Sequence, residues 1–490
     1  MKLKLRYPVR LILTDIYGEK WPLSSSKILA VATAMSAFFS LIPIIFLRTS
    51  KRSNQNVPGI ILKFILIFGL STSHYTAHSQ SFRSAVVKKN ITPEDSQHLL
   101  GYGTRKSTGV YDSIYHRIMV MDDGTNEFIL VSSDICLVSP SEYDRVQAMV
   151  VKEFGIEGKQ FWWSVTHTHS APEVGPPGLP EVFLGNRYEH QFDTAYTNFV
   201  VRELLAGIRE ARMKMKPSKL GVGWGFSRAN INRRARDVNG TTRLGMNPDG
   251  PVDRRIGILK IVERDTDNPI ALISNYAIHG TVMSGANLLI SGDVQGVVAE
   301  YVEEQTGAPM LFINGAAGNI APLYSVYPSP EAGHLYEFKQ ILGKPILEAQ
   351  ERIVAHRSEI KFEFGKLVLR TPRKEGLDWT DDLMDYTEQS NAGQHLVLLP
   401  VNFLKIDDDI GIWAAPLELF CEISNEIRDR SPFPYTFYYG YTNGWLGYLL
   451  TEEEVGYGGY EPMVSPYSPE AGQQLIEAVS GYLESELLSK

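Results

Sequence analysis

From residue 82 onward, short runs rich in β-branched and aromatic residues alternate with longer stretches whose apolar residues recur every three or four positions. Runs of the first kind lie at 117–121, 128–132, 161–166, 256–262, 270–278, 310–313, 361–369, 396–406 and 435–440. They predict strands, because branched side chains pack well on a pleated surface. Stretches of the second kind lie at 141–153, 194–213, 293–306, 330–355, 417–430 and 469–488. They predict helices, each with one apolar stripe. Interleaving of the two predicts an α/β (mixed α+β) fold of layered mixed β-sheets flanked by helices. No linker, low-complexity tract or internal repeat divides 82–490, which therefore reads as a single large catalytic domain.

The first 80 residues follow a different pattern. Segment 28–47 is uncharged and mostly apolar, long enough to cross a bilayer, with Pro43 as a kink. A shorter apolar run at 60–70 follows a basic lead and precedes a polar stretch in which the small residues Ala77 and Ser79 suit a cleavage point, the layout of a signal peptide. Either the first segment is a transmembrane anchor or translation begins nearer the second. Both readings make 1–80 an export and membrane-targeting region and the body exported: periplasmic, extracellular (secreted) or membrane-anchored.

Charge sharpens the division. The formal charge of −8 splits into +7 over residues 1–52 and −15 over the rest. An acidic body excludes nucleic acid as a partner, while the basic N-terminal segment suits association with a membrane. The two cysteines, Cys136 and Cys421, sit in apolar runs and read as buried thiols, neither metal ligands nor a disulfide.

The candidate chemistry lies at the ends of predicted strands. Thr166-His167-Thr168-His169-Ser170 closes an apolar strand, where residues two apart share a face, so both imidazoles point one way. Such a pair suits a metal ligand with a partner base, and equally an ordinary strand end. His279 ends a second apolar strand against Gly280, a position that a rigid scaffold holds, or simply a histidine satisfied by backbone groups. Asp293 is placed to cap the helix that follows it. The small-residue loop Asn314-Gly315-Ala316-Ala317-Gly318-Asn319-Ile320-Ala321-Pro322 lets backbone approach a ligand closely, or forms a tight turn. Glu418 reads as a carboxylate at a helix start, and Tyr448 and Tyr460 flank an acidic, glycine-rich turn.

Taken in order, THTHS at 166–170, INR at 231–233, the strand ending in His279, SGD at 291–293, NGAAGNIAP at 314–322, APLELF at 415–420 and YLLTEEE…YE at 448–461 resemble the neutral/alkaline (non-lysosomal) ceramidase family. The resemblance spans roughly residues 90 to 490 and concerns the catalytic domain only. It implies zinc, held by His167, His279, Glu418 and Tyr448. It also implies His169 as acid/base, Tyr460 as the contact to the substrate carbonyl, Arg233 lining the site, and Asn314, Gly315, Gly318, Asn319 and Ala321 as a substrate loop. The implied activity is a zinc-dependent amidohydrolase cleaving ceramide, or a related N-acyl lipid, to a fatty acid and a sphingoid amine.

Two departures qualify that. Where the family loop carries a serine assigned to the active site, this chain has Ala321. A side-chain nucleophile is therefore absent there, and the substrate is open to another amide or ester. No immunoglobulin-like C-terminal domain is expected, since 469–488 reads as a closing helix. A non-catalytic ceramidase-like binding protein is the alternative from a different class, and the intact set of candidate ligands argues against it.

Overall fold

Lys216–Phe226 carries glycine at 221, 223 and 225, a face of a strand with no side chains at all. No run of β-branched residues marks it, yet it is a central strand of the molecule. A Cβ on Gly221 would lie 2.5 Å from Ile353, and one on Gly225 2.7 Å from Ala349. The bare face is what lets helix Lys344–Glu351 and the turn after it settle directly on the sheet.

The structure, a computed structural model, describes residues 82–487 other than 104, 186, 187, 189 and 326–333. Its largest sheet has eight strands in the order Met310–Asn314, Pro269–Tyr276, Arg255–Glu263, Lys216–Phe226, Arg83–Asn90, Tyr115–Asp122, Glu127–Ser133 and Phe161–Val165. The interior pairs are antiparallel, and the outermost pair at each end is parallel. The sheet curls until those two ends meet. Ser132 Oγ donates to Phe312 O at 2.6 Å, and Asn314 Nδ2 to Thr166 O at 3.1 Å.

A five-stranded mixed sheet, built from Phe362–Pro372, Thr387–Gln389, His395–Ile406, Ile410–Ala414 and Tyr435–Tyr439, faces the first. The period of two decides which side chains meet. Met119 and Met121 pack with Leu404, Ile406 and Ile412 between the sheets, whereas Ile118 and Val120 point to the other face, against Val200, Leu204 and Ile208 of helix Thr194–Lys214. Helices Asp293–Thr306 and Ala471–Tyr482 cover Met310–Asn314 and Phe362–Pro372. The architecture is the expected layered α/β fold, and all described residues fall in one compact unit.

Several expectations are corrected. Among the described residues of the helix expected over 330–355, Leu335–Glu337 is a 3-10 turn, Lys339–Gly343 a π-turn and Lys344–Glu351 the α-helix. The helix expected over 417–430 begins at Cys421, because Glu418–Leu419 is a short strand paired in parallel with Tyr448–Leu449. Among the described residues no helix is long and apolar enough to cross a membrane, which corrects the transmembrane expectation. Segments 28–47 and 60–70 lie outside the described residues.

Replacing Gly221 by valine puts branched carbon where Ile353 and the Ala355 carbonyl already stand. We expect a loss of about 1–3 kcal/mol, read as a lower urea midpoint with unchanged m.

Candidate metal centre

The chain leaves the strand Phe161–Val165 and turns at His167, whose φ of 65° is a left-handed conformation that non-glycine residues rarely hold. The two imidazoles therefore do not converge by strand alternation, as the sequence pattern suggested. The turn and its neighbours bring them together. Segment 441–443 clamps the strand end: Val165 N donates to Tyr441 O, Ser164 Oγ meets Thr442 Oγ1 at 2.7 Å, and Asn443 exchanges bonds with the Trp163 backbone. A bridge between Thr168 and Gly280 then ties this turn to the end of the strand Pro269–Tyr276, which delivers His279.

Three atoms meet at one point. His167 Nε2 and His279 Nε2 are 3.1 Å apart, and Glu418 Oε2 is 3.3 Å from the first and 3.2 Å from the second. His167 Nδ1 donates to the Cys136 carbonyl at 3.0 Å and His279 Nδ1 to the Ala317 carbonyl at 2.8 Å. Each ring thus presents the lone pair of Nε2 to the shared point. Ligand atoms about 2.0–2.1 Å from a tetrahedral zinc ion stand roughly 3.3 Å from one another, so the spacing fits such an ion. Glu418 is oriented by Trp445 Nε1, which donates to Oε1 at 3.1 Å, and by Tyr441 OH, 3.4 Å from Oε2. Tyr441 also stacks on His167.

Electrostatics favour a cation at that point. Burial, aided by the charge of Arg233, pushes His279 down to about 3, so it is a neutral ligand. Burial alone would lower His167 too, but the Glu418 carboxylate and Cys136 together outweigh it and lift His167 to about 10. Burial would raise Glu418, and His167 and His279 instead hold it well below the usual carboxylate range. One positive charge, whether proton or metal ion, is what the three atoms attract. Cys136, His167 and His169 form a second group able to hold a metal, sharing His167 with the first. There the Cys136 thiol stands 3.8 Å from His167 Nδ1, farther than its own carbonyl.

His169 Nε2 lies 3.1 Å from His167 Nε2, and burial with the neighbouring His167 and His279 keeps its pKa well below the ordinary value. Gly101, at φ 112°, passes so close that a Cβ there would meet the His169 ring at 2.5 Å. Arg233 Nη2 donates to Tyr448 OH at 3.0 Å, and Tyr460 stands with its ring 6.0 Å from that of Tyr448. His167, His169, Arg233, Glu418, Tyr448 and Tyr460 all border one cavity of about 570 Å³. Its outer wall is apolar, from Leu100, Leu137, Phe183, Leu184, Leu244 and Val464.

Of the loop 314–322, Ala321 alone borders that cavity. Asn314 straps the strand ends together through the Thr166 and Ile278 backbone, and Gly315 N donates to Tyr276 O. Gly318 packs on the Glu418 carbonyl, 2.5 Å from where a Cβ would be, and Asn319 holds Cys421 N and Glu422. The loop builds the site from behind. Asp293 is also not the cap expected of it: it is the first helical residue, and its carboxylate accepts from Val282, Met283 and Val294. Tyr441, Trp445 and the Cys136 carbonyl carry no signal in the sequence that marks them.

A family model, neutral/alkaline non-lysosomal ceramidase, N-terminal, matches residues 85–323. The matched segment, just under half of the chain, is of that family. It is 25% identical to the neutral ceramidase of Pseudomonas aeruginosa over 259 residues, half of this chain and 38% of that protein. Neutral ceramidase A of Dictyostelium discoideum is 31% identical over 200 residues, 38% of this chain and 26% of that one. The aligned part thus spans less than two-fifths of these curated relatives. A crystal structure of the P. aeruginosa neutral ceramidase superposes with a TM-score of 0.66 over 84% of this chain and 75% of that one, at 19% identity, a likeness of fold. His167 and His279 lie inside the matched segment and Glu418 outside it.

Two outcomes test the centre. Protein purified without chelator is expected to carry about one divalent metal ion per chain, lost in His279→Ala and in Glu418→Gln, by elemental analysis of the dialysed protein. Glu461, fully buried, pairs with Arg233 at 3.0 Å and Arg234 at 2.5 Å. Glu461→Gln strands those charges and is expected to cost about 3–5 kcal/mol of stability in denaturant titration.

Proposed function

We propose that the protein is a zinc-dependent hydrolase that cleaves the amide bond of ceramide or a related N-acyl lipid, releasing a fatty acid and an amine. The observation that carries this reading is the convergence of His167, His279 and Glu418, of which His167 and Glu418 border an apolar-walled cavity, in a chain whose relatives are named neutral ceramidases. Tyr448 is the proposed fourth ligand: burial, with Glu418 nearby, holds its hydroxyl well above the usual phenol range, the Arg233 cation that donates to it works against that, and a bound metal ion would favour the phenolate further. When bound, zinc supplies Lewis acidity toward a carbonyl and lowers the pKa of water.

The chain's own groups do the rest. His169, neutral because it is buried beside two other imidazoles, takes the proton of the attacking water on a ring nitrogen. As the carbon–oxygen bond forms and the carbon–nitrogen bond breaks, the same nitrogen returns that proton to the departing amine. Tyr460, at the cavity rim, donates its hydroxyl proton in a hydrogen bond to the carbonyl oxygen as charge grows there. The apolar wall takes the acyl chain and excludes water.

Ala321 favours a second reading of the substrate. A methyl group borders the cavity where the family carries a hydroxyl, so the amine half differs from ceramide at that contact, and another amide or an ester fits equally.

The test is fatty-acid release from a panel of N-acyl lipids, ceramide among them, by zinc-loaded protein. Turnover is expected, with His169→Ala slower in kcat by about 10²–10⁴-fold at unchanged zinc content. Zinc-replete protein that hydrolyses none of the panel would leave the non-catalytic binding reading in its place.

A further inference from the structure

Beside the catalytic cavity lies a second groove of about 920 Å³, and the two share Leu244 and Tyr460. Its charged lining is Arg243, Arg373 and Lys374 against the single acid Glu375, on a body whose overall charge is strongly negative. None of the three cations has a carboxylate within ion-pair distance among the described residues. Arg373 lies over the Trp379 ring at 5.3 Å and reaches Thr387 Oγ1 at 3.3 Å. Lys374 Nζ is aimed by the carbonyls of Pro462, at 2.9 Å, and Met463. Desolvation lowers the pKa of both, and Asp378 acts on Arg373 only from beyond ion-pair distance. Their charge is partly stripped of water without a counter-charge in return.

A second, independent feature points the same way. Thr242, Tyr467 and Ser468 line this groove, and their hydroxyl oxygens are buried and have no hydrogen-bond partner among the described residues. Thr242 and Tyr467 are 4% and 5% exposed. Buried hydroxyls are normally satisfied, so three unpaired ones beside three uncompensated cations mark a place suited to an anion that accepts from them. Hydroxyl donors with arginine forks suit an oxyanion: phosphate, sulfonate or carboxylate.

We propose that this groove binds the anionic head group of an amphiphile whose apolar chain lies in the adjoining cavity, past Tyr460. Two sources supply that chemistry: the amine half of the substrate itself, or a second anionic amphiphile beside a neutral substrate. The first rests on the hydrolase reading above; the binding of an anionic amphiphile does not.

Calorimetry with dodecyl phosphate and, as the neutral chain-matched probe, 1-dodecylglycerol, both below micelle formation, tests the binding directly. Dodecyl phosphate is expected to bind at least about tenfold tighter, with added salt weakening that preference. Arg243→Gln/Arg373→Gln is expected to abolish the preference while leaving the neutral probe unchanged. Arg243→Gln alone, an exposed position, serves if the double variant does not fold. Equal affinity for the two probes, or a preference that survives in the variants, overturns the proposal.

Kinetics separate the sources. A KM raised about tenfold by the double variant for N-acyl substrates with an anionic amine half, and unchanged for neutral ones, assigns the groove to the substrate. Faster turnover of a neutral substrate on adding dodecyl phosphate, lost in the variant, assigns it to a second amphiphile. If no N-acyl lipid is hydrolysed but dodecyl phosphate still binds through these arginines, the hydrolase reading fails and the groove stands.

Discussion

Three ring-nitrogen and carboxylate atoms from residues 167, 279 and 418 are held within 3.1–3.3 Å of one another, almost wholly buried. Atoms of that kind repel unless something positive lies between them, so the fold must force them together and a cation must reward it. Each ring is fixed by a backbone carbonyl, and the carboxylate by an indole and a phenol. These contacts commit each Nδ1 to a backbone carbonyl, so Nε2 is the atom turned to the centre, open to a metal ion or, on His167, to a proton. The left-handed turns at His167, Tyr441 and Asn443 store strain at the same place, as happens where surrounding structure over-determines a geometry.

Holding the point rigid takes most of the molecule. The eight-stranded sheet must curl until its ends meet, or His167 and His279 would sit at opposite edges of it. The five-stranded sheet must pack against the first, since it leads into Glu418 through the strand Ile410–Ala414. A buried network of Arg233, Arg234, Glu454 and Glu461 then pins the Tyr448–Tyr460 segment over the cavity. Division of labour follows from this. The N-terminal part matched by the family model brings the histidines, and the C-terminal part brings the carboxylate and both tyrosines.

The same geometry explains what Ala321 changes and what it leaves alone. The loop that carries it is mostly occupied behind the site, with Asn314, Gly318 and Asn319 bonding strand ends and the Glu418 segment. The Ala321 methyl therefore shapes one wall of the cavity and takes no part in holding His167, His279 and Glu418 together. Substrate contact and metal geometry are separable here because different atoms of one loop serve them.

How far the sequence reaches is seen best strand by strand. Runs such as 117–121, 256–262 and 396–406 are legible because alternating branched residues bury both faces of a sheet, a property each segment carries alone. Lys216–Phe226 is not, because its glycine face makes sense only once a helix lies on it. The histidines and the family they belong to are legible as an ordered series of motifs. Their convergence is not, since it depends on a left-handed turn, and Glu418 reads as a helix start until Tyr448 pairs with it as a strand. The sequence by itself determined which groups are available and the layered α/β class, through local pattern. Only the tertiary structure decided that His167, His279 and Glu418 share one point, because contacts across more than a hundred residues are set by how two sheets close on each other.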